Sequence, residues 1–230
     1  QKALHKVRQA AYVMPLWQLE GVLVEDLGAD WESHFLQFDR KPVAAASIGQ
    51  VHKAVLKDGR QVAVKIQYPK VKDSIDSDIK NLMNLVTYTN LLPRGAYIAD
   101  TMKQARKELH MECDYEREAE YQRRFKQLIA KSTEEENLRI TIEGAKSIFD
   151  PPMSSFYVPD VVSELSTKRV LTTEWVDGRS IDNVASMDVG TRARVARLLL
   201  KLCLKELFEF RFMQTDPNWA NFFYEGPNQL

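Results

Sequence analysis

The stretch "VHKAVLKDGRQVAVKIQ", Val51 to Gln67, sets two runs of alternating residues on either side of a "KDGR" turn. Alternation with a period of two sends successive side chains to opposite faces of a strand, and Asp-Gly between two such runs is a strong hairpin signal. Any fold for this chain has to be built around that antiparallel pair. In the second strand Val62, Val64 and Ile66 share one face, and Ala63, Lys65 and Gln67 share the other. A lysine in mid-strand is disfavoured unless the strand lies at a sheet edge or the ammonium reaches a phosphate.

What precedes the hairpin bears on that choice. From Gln1 to Leu36 the pattern is helical, with Leu4, Val7 and Ala11 and then Leu16, Leu19 and Leu23 recurring at three and four residues, broken by Pro15. "FLQFDRKPV" then reads as a strand and "AAASIGQ", Ala44 to Gln50, as a loop. Nucleotide loops are usually glycine-rich, so that backbone N–H groups can approach phosphate oxygens. Here Ala44, Ala45 and Ala46 stand where glycines are expected, and Gly49 is expected to supply a φ that other residues resist. Taken alone, this loop reads best as a plain hairpin bend. Followed 16 residues after Gly49 by a strand lysine, it has the arrangement of a kinase nucleotide lobe.

After Pro69 the chain turns helical, with an apolar stripe of Ile75, Ile79, Leu82, Met83, Leu85 and Val86 that ends near Leu92-Pro93. A charged helix is predicted over Ile98 to Ile129, then a polar insertion or mobile excursion from Lys131 to Asp150, ended by "FDPP". "FYVPDVV" and "RVLTTEWVDG" restore strand character. An amphipathic helix is predicted over Thr191 to Phe212, with Val195, Leu198, Leu199, Leu202 and Leu207 facing inward. "FMQTDPNWANFFYEG" reads as a loop and a strand, and Trp219, Phe222, Phe223 and Tyr224 as core around that loop. The order fits two lobes joined near Trp175 to Gly178.

Composition narrows the partners. Thirty-two basic side chains balance thirty-two acidic ones, so no overall field favours nucleic acid or an anionic membrane. Cys113 and Cys203 form neither a disulfide framework nor a zinc pattern, and His5, His34, His52 and His110 show no ligand spacing and read as surface or supporting groups. No apolar run reaches the length of a membrane span, and the start has no signal-peptide layout. The chain begins in a helical pattern and stops at "GPNQL" as a strand begins, so a fragment is expected.

Two further stretches carry chemistry. In "TDPNWAN" Asp216 and Asn221 stand five positions apart, the spacing of the carboxylate and the metal-binding amide in kinase catalytic loops, although Asp-Pro-Asn by itself is ordinary turn chemistry. In "ELHMECDYEREAE" the glutamate that would pair with Lys65 could be Glu108, Glu112, Glu116 or Glu118, and helical spacing does not choose among them. Asp114 and Glu118, four apart, are expected to share a face, with Glu112 projecting elsewhere.

Together "AAASIGQVH", "VAVKIQYP", "ECDYEREA", "LTTEWVDG" and "LFEFRFMQTDPNWANFFY" resemble the UbiB family of atypical kinase-like proteins, and within it the mitochondrial members that support coenzyme Q biosynthesis. The resemblance implies an α+β, bilobal protein-kinase-like fold: a small β-rich nucleotide lobe with extra helices, then a mainly helical C-terminal lobe, here truncated. It implies a helical N-terminal extension over 1–36, a kinase-like N-lobe with inserted helices over 37–176 and a partial C-lobe over 177–230. An alanine-rich loop is a hallmark of the family. By position, Ala44, Ala45, Ala46, Ser47 and Gly49 would lie over the nucleotide phosphates, Lys65 would bind them, and Glu118 would pair with Lys65. Glu112 and Asp114 match an E-x-D element whose glutamate faces the N-terminal extension. Thr173, Glu174, Trp175 and Val176 fall at the hinge where backbone meets adenine. Asp216 matches the catalytic acid and Asn221 the magnesium ligand.

The implied cofactors are ATP and Mg2+, and the implied activity is that of an ATPase or an atypical small-molecule or lipid kinase. The alternative is a nucleotide-gated scaffold or lipid-binding pseudokinase. Expected partners are coenzyme Q biosynthetic proteins and peripheral membrane lipid, not nucleic acid, at the matrix side of the mitochondrial inner membrane. The family's K-x-G-Q and D-F-G elements are expected before Gln1 and after Leu230, so this length of chain alone is not expected to turn over ATP.

Overall fold

The computed structural model describes residues 13–89, 98–143, 152–214 and 221–226. Outside them lie His5 and the repeat of Leu4, Val7 and Ala11, the stop at Leu92-Pro93, most of "FDPP", Asp216, Trp219 and the close of "GPNQL". By internal contacts the chain divides into two compact units, residues 1–120 with 161–175 and residues 121–160 with 176–230.

The first unit is organised by an antiparallel sheet. Its strands are β1 (Phe35–Phe38), β2 (Ala44–Ala45), β3 (Gly49–Leu56), β4 (Gln61–Gln67) and β5 (Val170–Glu174). They run in the order β1-β3-β4-β5, with β2 also paired to β3. The Asp58-Gly59 hairpin is formed: Gly59 has φ 89°, and the Leu56 N–H donates to the Arg60 carbonyl at 2.9 Å. The expected loop over Ala44–Gln50 is shorter than it read. Ala44 pairs with Val51 and Ala45 with Gln50, while Gly49 and Gln50 already belong to β3, so Ala46, Ser47 and Ile48 alone make the turn. The alanine methyl is too small to oppose an extended ladder.

The two faces of β4 bury different things. Helix α1 (Leu16–Leu27) sets Leu19, Val22 and Leu23 against Val62, Val64 and Ile66, with Trp31 and Phe35 closing the same core. Arg169, just before β5, is held by Glu25 at 2.8 Å and Asp26 at 2.6 Å on the last turn of α1. On the opposite face Leu171, which pairs across strands with Lys65, joins Ile48, Ile75, Cys113, Tyr115 and Ala119. Ile75 lies on α2 (Val71–Thr89), whose inward stripe is only partly realised: Leu82 and Leu85 are exposed because the described core is met by the first turns alone.

Residues 98–129 do not form the single helix expected. Helix α3 (Ile98–Glu112) stops, Cys113 is buried, and α4 (Tyr115–Glu143) starts anew. Asp114 lies outside the helix and its Oδ1 accepts from the Arg117 N–H at 3.1 Å, the capping role that aspartate prefers. Asp114 and Glu118 are therefore cap and first turn, not neighbours on one helical face. Helix α3 is fastened to α2 by Asp76, which accepts from Arg106 (2.7 Å) and His110 (2.8 Å); that pairing lowers the Asp76 carboxyl to a pKa of about 2.

In the second unit, residues 131–143 continue α4 instead of forming an excursion. Glu136 explains why. It takes a 2.5 Å ion pair from the buried Lys201 ammonium on α5 (Val189–Leu204) and a 2.7 Å hydrogen bond from the Met153 N–H. Phe125, Leu128 and Ile129 pack with Leu202 and Phe210 nearby. "FYVPDVV" is not a strand: Val161 makes an isolated bridge to Thr173, and Pro159 lacks the N–H a ladder needs. Helix α5 widens into a π-helix over Lys205–Phe210, which rotates the register so that Glu206 and Phe210 are buried and Leu207, expected inward, is exposed. The short strands β6 (Arg179–Ser180) and β7 (Phe223–Tyr224) pair; Phe222 and Tyr224 pack inward, but Phe223 is exposed.

His52, read in the sequence as a surface or supporting group, is fully buried. Its Nδ1 lies 2.7 Å from the Asp39 carbonyl, which can only accept, so the proton sits on Nδ1. Nε2 then accepts from the Gln50 amide at 2.8 Å, and the Gln50 Oε1 accepts the Met14 N–H at 3.0 Å. Burial pushes the imidazole below its ordinary 6.5, against a smaller upward pull from Asp39. The unfolded chain thus takes up a proton near pH 6.5 while the folded chain does not, so stability falls as pH drops through that value. Urea unfolding between pH 8 and 5 should lose at most about 1.4 kcal/mol per pH unit from this group, and His52→Gln should remove that share of the slope.

Candidate functional site

β4 is flanked by β3 and β5, so Lys65 is on an interior strand and is not an edge charge. Its Nζ lies 2.7 Å from Oε1 and 2.9 Å from Oε2 of Glu118, across 53 residues of chain. Of the four glutamates the sequence left open, the structure brings Glu118 to the lysine, because α4 starts afresh at Tyr115 and places Glu118 in its first turn. There the helix dipole also favours a carboxylate. The pair is half-exposed, Lys65 at 27% and Glu118 at 42% of their side-chain surface. An ammonium has three N–H donors; with two directed at Glu118, one remains for a third oxygen.

The same face of the sheet carries small and apolar side chains of which sequence reasoning placed only Ala63. Val51 and Leu171 flank Lys65 on the adjoining strands, and Ala63 lies two residues away between Lys53 and Thr173. The ring of Tyr115 lies 4.6 Å from the Lys65 Nζ. The signal for the strand residues was parity with Lys65; nothing in the sequence gave the ring its place.

In the alanine-rich turn, the Ala46 N–H donates to the Gly49 carbonyl at 2.9 Å, and Ser47 Oγ donates to Glu112 Oε2 at 3.5 Å. Glu112 ends α3, so the E-x-D glutamate faces this turn. Gly49 is not in the left-handed region, contrary to the expectation. Its constraint is contact: a Cβ there would stand 2.3 Å from the Ile66 carbonyl oxygen on β4. At the far end of β5, the Trp175 N–H donates to the Gln61 carbonyl at 3.0 Å, which removes it as a donor to a base, while the Lys53 ammonium lies 4.5 Å from the Trp175 ring. Thr173 and Glu174 pair with Ala63 and Val62. Val176 falls in the second unit, as does Asn221, which is exposed beside β7. Asp216 lies outside the described residues. No cluster of three or more metal-ligating His, Cys, Asp or Glu occurs among the described residues.

Two outcomes follow from this geometry. Gly49→Ala should destabilise the first unit by about 2 kcal/mol, since backbone must shift to admit the methyl; urea unfolding would register it. A Lys65→Met, Glu118→Gln double-mutant cycle should return a coupling below about 1 kcal/mol of stability, the range for solvent-accessible pairs. A larger value would mean that the pair is chiefly a structural clamp.

An antiparallel sheet, an interior-strand lysine and a helical glutamate paired with it are the arrangement of a protein-kinase-like small lobe. Residues 6–230 match the model of the ABC1 atypical kinase-like domain, and the chain belongs to that family, the UbiB family of the sequence resemblance. It is 46% identical over 226 residues to the atypical kinase COQ8B, mitochondrial, of Danio rerio, covering 98% of this chain and 33% of that protein. It is 42% identical over 223 residues to the atypical kinase COQ8, mitochondrial, of Saccharomyces cerevisiae, covering 97% and 40%. The chain thus spans well under half the length of these curated relatives. Among solved structures it is similar to Rv3197 of Mycobacterium tuberculosis, determined with erythromycin, at a TM-score of 0.72 and 30% identity over 96% of this chain and 51% of that one. That likeness bears out the truncated α+β kinase-like fold. No described helix is long and apolar enough to cross a membrane.

Proposed function

We propose that this chain is the nucleotide-binding part of an ATP-dependent atypical kinase-like protein that supports coenzyme Q biosynthesis in mitochondria. The observation that carries the reading is the Lys65–Glu118 pair on an interior strand, with one ammonium donor left for a phosphate oxygen. The names of the COQ8 relatives support the pathway and the compartment. In this reading Lys65 fixes the α/β-phosphates, and Ala44, Ala45, Ala46, Ser47 and Gly49, the turn with the strand ends beside it, cover them. Backbone of Thr173 to Val176 receives the adenine. Asp216 orients a water or substrate hydroxyl and accepts its proton. Asn221 would supply an amide oxygen to Mg2+, which neutralises phosphate charge when bound. Glu112, through its contact with Ser47, and Asp114, through its cap on α4, act as a regulatory element. The partners would be other coenzyme Q biosynthetic proteins and a peripheral lipid surface.

Catalysis of phosphoryl transfer is mostly positioning and charge stabilisation, so losing a positioning group costs orders of magnitude in rate. In the full chain, Lys65→Ala and Asp216→Asn should each lower phosphate release from MgATP by at least about a hundredfold while leaving circular dichroism and melting unchanged. Retained turnover in both would overturn the enzyme reading. Tight MgATP binding without release by the parent protein would favour a nucleotide-gated scaffold.

A further inference from the structure

Lys65 is gripped from a second side, by a residue that the family match and the motif reading leave without a role. Tyr115 is the first residue of α4, and its side chain is fully buried. Three contacts fix it. Its N–H donates to the Lys168 carbonyl at 3.2 Å, at the approach to β5. Its ring packs in the cluster with Ile48 of the alanine-rich turn, Ile75 of α2 and Leu171 of β5. The ring also lies 4.6 Å from the Lys65 Nζ, well inside the range of a cation–π contact. Its hydroxyl has no hydrogen-bond partner among the described residues, and burial pushes the phenol far above its ordinary pKa, so it stays neutral.

The geometry points to Tyr115 as a positioning residue for the Lys65 ammonium, acting through the face of its ring alongside the carboxylate of Glu118. The two groups are three residues apart in the first turn of one helix, which puts ring and carboxylate on neighbouring positions of the same end. Their contributions differ. Glu118 takes N–H donors, whereas the ring attracts the ammonium's charge through its quadrupole and needs no donor aimed at an oxygen. The ring thus steadies the ammonium without competing for the donor a phosphate requires. Because Ile48 packs in the same cluster, the ring also ties the position of the lysine to the turn expected above the phosphates.

This inference rests on the reading of Lys65 as a phosphate ligand, and the test separates the two. The full chain would carry phenylalanine at position 115, then mono-, di- and trifluorinated phenylalanine, which weaken the ring's quadrupole stepwise at nearly constant shape. Binding of MgATP would be measured by calorimetry, with Lys65→Ala as the reference. Tyr115→Phe should bind within about twofold of the parent, since the ring is kept and the hydroxyl lost is unpartnered. Affinity should then fall with each fluorine, to about tenfold below phenylalanine for the trifluoro ring, equivalent to about 1.4 kcal/mol. A flat series in a protein whose Lys65→Ala variant loses binding would overturn the role of Tyr115 and leave the phosphate role of Lys65 intact. Parent-like binding by Lys65→Ala would overturn both. Melting of each fluorinated variant identifies any loss that comes from misfolding, and Tyr115→Leu at matched stability, binding as the parent does, would also sink the proposal.

Discussion

A positive charge on an interior strand has to be answered from the faces of the sheet, because the neighbouring strands occupy both of its edges. Lys65 is such a charge, and much of the first unit is arranged around answering it. Helix α3 ends and α4 restarts, so a carboxylate arrives in a first turn whose dipole favours it. Asp114 caps that restart, and Cys113 fills the space beneath it. The opposite face of β4 is wholly apolar against α1, so the strand has one dry side and one chemical side. The ion pair contributes little to stability at its degree of exposure. Its value is that the ammonium's position is set before anything binds.

The hairpin, the parity of Lys65 and the core of valines were legible because strand periodicity is local: each residue's face follows from its neighbours two positions away. The same holds for Val195, Leu198 and Leu202 on α5. What was not legible depended on partners distant in sequence. By helical spacing alone Glu118 and Glu112 look equivalent until Asp114 is seen as a cap, and only the family resemblance singled out Glu118. Glu136 reads as one more solvated carboxylate until Lys201, 65 residues on, meets it, and this is why 131–143 reads as part of an excursion. Leu207 obeyed the helical period and was wrong, since a π-turn adds a residue that no pattern announces. His52 looked idle because its partners are a backbone carbonyl and a glutamine.

That histidine chain has a bearing on the site. Gln50 adjoins Gly49 in β3, and its amide joins the Met14 backbone to His52. The entry of the chain into α1 is thereby fixed to the strand that leads out of the alanine-rich turn, on the face away from Lys65.

The contact at Gly49 has a consequence for heredity as well as for energy. Every single-base change in a glycine codon that yields another amino acid introduces a Cβ, and at this position a Cβ meets the Ile66 carbonyl oxygen. Ala44 and Ala45 are exposed and have a range of tolerable neighbours in codon space. Gly49 has none. Any amino-acid change at Gly49 therefore carries the cost of moving the β4 backbone, which changes at the exposed Ala44 and Ala45 do not share.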